Sequence, residues 1–364
     1  MRKFIIGLIM LILSAVLSLA VFADTEDAAE YAGRQVAEAV PEDAREIMDE
    51  KGITPENGAL GLTFEGVLSD LLNLFKDRAE KPLKLLCALC GTVLMCALAE
   101  SMNENGSGVF SAVGVLCGAG IVAAAMYDIL NEALGVLSSG ANFTLIFIPT
   151  FAALSAALGH ITAAGAINSA VIAATQLFSQ LCANFLAPMC GAIVGLSAAG
   201  AVCPKLKTDK LGAMASKFVV WGLTLIMTVF MSILSVQTLV ANASDNTAIK
   251  TAKFMVSQGV PIVGGTISDA VNTLSGGLSI AKGSIGAYGI IAAAVIVIPP
   301  IIGIVCYKLA LGCAQGLAEM FGLKEIAGLF KGCGGVMNII LAVTAGMLVL
   351  NTVAALMLAA CCGT

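Results

Sequence analysis

Eight blocks of apolar residues divide the chain, each near the length of about 20 residues that carries a helix across hydrocarbon. They run Leu83 to Ala99, Val109 to Tyr127, Phe143 to Leu158, Gly165 to Leu186, Ala187 to Cys203, Phe218 to Leu239, Ile285 to Tyr307 and Gly334 to Ala360. Lipid offers no partner to a backbone N–H or C=O, so such blocks fold as helices that satisfy their own backbone. The sequence predicts an all-α, polytopic transmembrane helical bundle of about eight spans, some broken or re-entrant, over residues 82–364. Composition agrees: 59% of the residues are hydrophobic and 12% are charged, against about 25% charged in an ordinary soluble domain.

Residues 1–23 read as a signal peptide. Arg2 and Lys3 precede an apolar run from Phe4 to Leu19, and Val21-Phe22-Ala23 supplies a peptidase site. Cleavage is expected after Ala23, with an uncleaved first span as the alternative; either sends the next segment outside. Residues 24–81 then form an acidic extracytoplasmic helical segment. Of the 24 acidic residues, 15 lie between Asp24 and Glu80, a balance that excludes nucleic acid as a partner. Pro41 followed by Glu42 and Asp43 marks a helix start. Phe64, Val67, Leu68, Leu71, Leu72 and Phe75 recur at three and four, as in an amphipathic entry helix lying on the membrane or against the bundle. Residues 24–81 hold too few large apolar side chains for their own core, so they are expected to be flexible or docked on a partner.

Lysines set the orientation. Counting crossings from an outside N-terminus puts Lys205, Lys207, Lys210 and Lys217 in one cytoplasmic loop, and Lys308, Lys324 and Lys331 in another. Lys76, Arg78, Lys81 and Lys84 are the exceptions, just outside the first span. Both mature termini are expected outside the cytoplasm.

The spans carry their own punctuation. Pro149, Pro188 and the pair Pro299-Pro300 fall inside apolar runs, where each removes a helix donor. Segment 247–282 is amphipathic, with Val263, Ile267, Ala270, Leu274 and Leu278 on one side, and Gly259 to Gly265 reads as a break containing Pro261. Candidate path or gating residues are Pro149, Pro188, Pro261, Gly264, Gly265, Asp269 and Pro299. Small-residue runs such as Gly195 to Gly200 are a helix-packing signal.

No catalytic constellation is visible, and no cofactor is implied. His160 is the only histidine, and it is expected in a solvated turn. There is no GxxxxGK[ST] phosphate loop. The twelve cysteines lie in or beside apolar runs, where cysteine behaves as a small hydrophobe. Cys87-x-x-Cys90 has no second pair to complete a metal site. Asp128 and Glu132, four apart, are expected at a helix end facing water, with a cation site as the alternative.

Pro41-Glu42-Asp43-Ala44-Arg45-Glu46-Ile47, Phe147-Ile148-Pro149, and the stretch from Lys253-Phe254-Met255-Val256 through Val260-Pro261-Ile262-Val263-Gly264-Gly265-Thr266-Ile267-Ser268-Asp269-Ala270 give the chain its family likeness. It resembles the stage III sporulation protein AE family along nearly its whole length. The resemblance implies a non-enzymatic subunit of the channel apparatus joining mother cell and forespore, seated in the mother-cell membrane. Its partners would be the lipid bilayer and the other membrane and ring proteins of the stage III sporulation operon. A secondary transporter for a small solute is the alternative, suggested by the proline-interrupted spans.

Overall fold

The computed structural model describes residues 29–57, 64–102, 109–158, 161–203, 208–259 and 264–360, and every regular element among them is a helix. The signal peptide, His160, Pro261 and the pair Cys361-Cys362 lie outside the described residues. Two short helices, α1 (29–39) and α2 (Glu42–Glu50), precede six long ones. These are α3 (Phe64–Ser101), α4 (Val109–Ala157), α5 (Ile161–Val202), α6 (Thr208–Gly259), α7 (Gly264–Met320) and α8 (Lys324–Ala360). Each long helix contains a stretch long and apolar enough to cross a membrane, which makes six such stretches among the described residues.

The eight sequence blocks thus fall on six helices. Val109 to Tyr127 and Phe143 to Leu158 share α4, while Gly165 to Leu186 and Ala187 to Cys203 share α5. No proline stands between Tyr127 and Phe143, so the hydropathy dip at Asp128, Asn131 and Glu132 is a polar patch on a continuous helix. No turn separates Leu186 from Ala187, and Pro188 lies inside α5. At about 1.5 Å per residue the 49 residues of α4 extend about 74 Å, more than twice the thickness of a hydrocarbon core. The entry stretch from Phe64 is likewise continuous with the first span, since α3 runs through Pro82. The loss of one backbone hydrogen bond there does not end the helix.

Packing is organised around α8, which contacts α4, α5, α6 and α7. Leu329, Cys333, Val336, Ile340, Val343 and Met347 are buried on it without exposure. Small residues set the spacing, as expected where lipid gives no hydrophobic contrast between helices. A Cβ on Gly332 would lie 1.9 Å from Ser197 Oγ, one on Gly289 2.1 Å from the Phe147 ring, and one on Gly114 2.2 Å from Cys96 Sγ. The run Gly195 to Gly200 joins this packing through Ser197, whereas Gly195 faces open space. Register follows from the same contacts: Gly286 and Gly289 meet Phe151 and Phe147, so α7 runs antiparallel to α4. Gly114 and Gly140 meet Ile326 and Met347, so α8 runs parallel to α4.

The acidic segment is docked on the chain's own bundle. Val36, Val40, Ala44, Met48 and Ile53 are buried in a cluster with Phe143, Phe147, Phe151, Ile285 and Tyr288. The bundle supplies the core that the segment lacks. Pro41 precedes α2 with Glu42 and Asp43 in the first turn, as its sequence predicts. The helix ends where Gly52, at φ 65°, lets Ile53 N–H reach Met48 O at 2.9 Å. Gly322, at φ 78°, closes α7 in the same way, with Leu323 N–H on Ala318 O at 2.9 Å. Lys51 then bonds Asp70 of α3 at 2.7 Å, and this contact raises the ammonium above its ordinary value.

Candidate functional site: two charged clefts flanking α7

The first cleft lies among α3, α4 and α7 and encloses about 600 Å³. Asp77, Arg78, Glu80 and Lys81 line it from α3, Asp128, Asn131 and Glu132 from α4, and Gly303 and Tyr307 from α7. Asp128 and Glu132 are therefore in the middle of α4 and not at a helix end. The reason is electrostatic: the antiparallel register of α3 and α4 brings the Arg78 guanidinium onto the Glu132 carboxylate in an ion pair. Lys84 bonds Glu80 at 2.6 Å on the same helix. The basic residues that broke the lysine pattern beside the first span are thus partly matched by carboxylates around them.

The second cleft, of about 540 Å³, lies on the other side of α7 among α5, α6 and α8. Lys217 of α6, Lys308 of α7 and Lys331 of α8 line it together with Ser197, Ser216, Gln315 and Asn338, and among the described residues its lining contains no carboxylate. Glycines 212, 312, 328, 332, 334 and 335 form much of the wall. The sequence marks these three lysines as topology signals, but nothing in it brings residues so distant along the chain to one cleft. The signal available was local to α8, where Lys331 stands beside Gly332 with Gly334 and Gly335 just beyond, since glycines let helices approach closely.

The residues singled out for a path are dispersed. Pro149 is half-buried in α4, Pro188 is exposed in α5, and Pro299 and Pro300 are buried in α7. All four lie inside continuous helices. Gly289 marks the level of Phe147 and Pro149 on α7, and Pro299 lies ten residues farther on, a rise of about 15 Å. Gly264 and Gly265 open α7, with Asp269 just beyond, after α6 ends at Gly259. The amphipathic stretch that follows is continuous with the block Ile285 to Tyr307 in one 57-residue helix.

Buried polar groups elsewhere serve packing. Thr144 Oγ1 lies 2.7 Å from both Gly140 O and Asn351 Oδ1, tying α4 to α8. Lys282 is 3% exposed, with its Nζ 5.2 Å from the centroid of the Phe151 ring. The ten described cysteines carry no disulfide, and Cys96, Cys182, Cys190, Cys306 and Cys333 are buried. Among the described residues no group of three or more His, Cys, Asp or Glu is placed to hold a metal.

Six long apolar helices, packed around α8 as the central one, define an integral membrane helical bundle. The chain belongs to the stage III sporulation protein AE family (spore_III_AE), which matches residues 48–362 and so takes in all six. It is similar to the stage III sporulation protein AE of Bacillus subtilis (strain 168), at 24% identity over 192 residues. That match covers 52% of this chain and 48% of the relative, so it spans about half of each. No solved structure matches. The chain is thus a sporulation-related membrane protein.

Proposed function

We propose that the chain is a non-enzymatic membrane subunit of the channel apparatus that joins mother cell and forespore. The observation that carries this reading is the family match over residues 48–362, which includes every long helix of the bundle. In this reading the protein sits in the mother-cell membrane around the forespore, with both mature termini and the α1–α2 cap facing the intermembrane space. The lysine-bearing turns before α6 and between α7 and α8 face the mother-cell cytoplasm. Its partners are the other membrane and ring proteins of the stage III operon. Residues 24–81 act as a cap on the bundle, residues 82–364 as its membrane domain, and the break from Gly259 to Gly265, with Asp269 beyond it, as the place where a path would open.

A small-solute transporter would be expected to gather broken helices at one site. Pro149, Pro188 and Pro299 lie instead in unbroken helices. Affinity purification from sporulating cells separates the two readings. Co-purification of other stage III proteins is expected; recovery of the chain alone with a bound solute would overturn the subunit reading. Asp269→Asn is expected to lower spore yield while leaving the protein assembled, and normal yield would remove Asp269 from the path.

A further inference from the structure

We infer that the lysine cleft and the apolar crevice next to it together form a binding site for one anionic phospholipid. The cleft gathers Lys217, Lys308 and Lys331 from three helices, and among the described residues no carboxylate lines it. None of the three makes an ion pair among the described residues. All three are exposed, and cations lining one cleft repel one another, a repulsion that an anion seated among them relieves. Ser216, on the same wall, is 8% exposed, and its hydroxyl has no hydrogen-bond partner among the described residues. The cleft across α7 contrasts with it, because there Arg78 is already matched by Glu132. A phosphate diester supplies the missing charge and acceptors, and basic pockets between membrane helices recognise phospholipid headgroups in this way.

What distinguishes a lipid from a free phosphate is a neighbouring crevice, whose α6 lining begins at the residue after Lys217. Phe218 and Val219 follow Lys217 directly and line an apolar crevice of about 310 Å³ between α5, α6 and α8. Phe178 and Phe185 close it from α5, Gly222 opens it on α6, and Val343 marks its far side on α8. From Lys331 to Val343 is twelve residues along α8, about 18 Å, a length suited to an acyl chain. Next to the lining residue Phe218, Trp221 is exposed, with its ring 6.2 Å from that of Phe218, and exposed aromatic side chains are characteristic of headgroup level. An amphipathic anion fits both parts: its phosphate among the lysines and a chain in the crevice. With the orientation proposed above, the lipid comes from the cytoplasmic leaflet; the site itself does not depend on that orientation.

The test uses the full chain, purified in mild detergent and titrated with dioleoylphosphatidylglycerol while bound lipid is counted by native mass spectrometry. One saturable phosphatidylglycerol is expected, with dioleoylphosphatidylcholine much weaker. Replacing the three lysines together (K217Q/K308Q/K331Q) is expected to weaken binding about fivefold per lysine, about a hundredfold in all. Gly222→Leu fills the crevice at a position where an added Cβ meets nothing within 4 Å, so it is expected to weaken binding while the protein keeps its helicity and elution volume. A control with three lysines changed on the opposite flank (K76Q/K81Q/K84Q) is expected to bind as the native chain does. Equal affinity for the two lipids, equal loss in the control, or undiminished binding by the triple or Gly222 variant would overturn the proposal. Full displacement by inorganic phosphate at equal concentration would also overturn it, by assigning the cleft to a free anion.

Discussion

Helices α6 and α8 are nearly equal in hydropathy and opposite in setting. Over their most apolar stretches, 56% of α8 is buried within the protein and 6% of α6. α8 is surrounded by four other helices and spends its small residues on close approach, as at Gly332 and Gly335. On α6, Phe218, Trp221, Leu225, Val229, Ile233 and Val236 form an exposed stripe at helical spacing. The hydroxyls of Thr224, Thr228 and Ser232 bond to carbonyls one turn back, at 2.8 Å each, so these three are satisfied within the helix without neighbours. Apolar content alone therefore says that a helix belongs in a membrane; residue size says whether it is a pillar or a wall.

That contrast breaks most readily at glycine. Gly332→Val pushes a side chain into Ser197, whose Cβ stands only 2.5 Å from the added atom, and is expected to cost about 3 kcal/mol. The matched Gly222→Val on α6 meets nothing within 4 Å and is expected to stay within about 0.5 kcal/mol of the native protein. Thermal unfolding in detergent reads both, and equal losses would erase the pillar-and-wall distinction. Next in size is Thr144→Val, which removes the buried α4–α8 hydrogen bond to Asn351 and is expected to cost about 1 kcal/mol. The same change at Thr228, whose bond lies within α6, should be nearly silent.

Smaller still is the Arg78–Glu132 pair, whose side chains are 42% and 38% exposed. A double-mutant cycle with Arg78→Gln and Glu132→Gln is expected to give a coupling of about 0.5 kcal/mol that declines with salt. A coupling of several kcal/mol would place this cleft out of contact with water. The smallest effect is at the cap. Asp70 raises the Lys51 ammonium in the folded protein, so its contribution is complete below the ordinary lysine value and fades as pH rises through the raised one. Lys51→Met should thus leave stability unchanged in slope near neutral pH and differ only on the alkaline limb. A difference in slope between pH 6 and 8 would contradict that assignment.

The sequence carried the helical membrane architecture, the start of α2 at Pro41 and the end of α6 at Gly259. Each follows from a local rule: hydropathic length, proline at the first turn, glycine and proline at a break. What stayed hidden was long-range pairing. Asp128 and Glu132 looked like a helix end because the arginine that accommodates them is 54 residues away, and local hydropathy cannot register a distant partner. Pro149, Pro188 and Pro299 looked like breaks, yet a helix packed or lipid-bound on its flanks tolerates one missing donor. The lysine cleft was invisible for the same reason, since its three cations come from three helices.

The most direct measurement is the count of heat-resistant spores in a strain from which this chain has been removed and then restored as the native protein, Thr228→Val or Gly332→Val. A sporulation protein built around α8 predicts a severe loss on removal, recovery with the native chain and with Thr228→Val, and no recovery with Gly332→Val. An unchanged spore count on removal would contradict it.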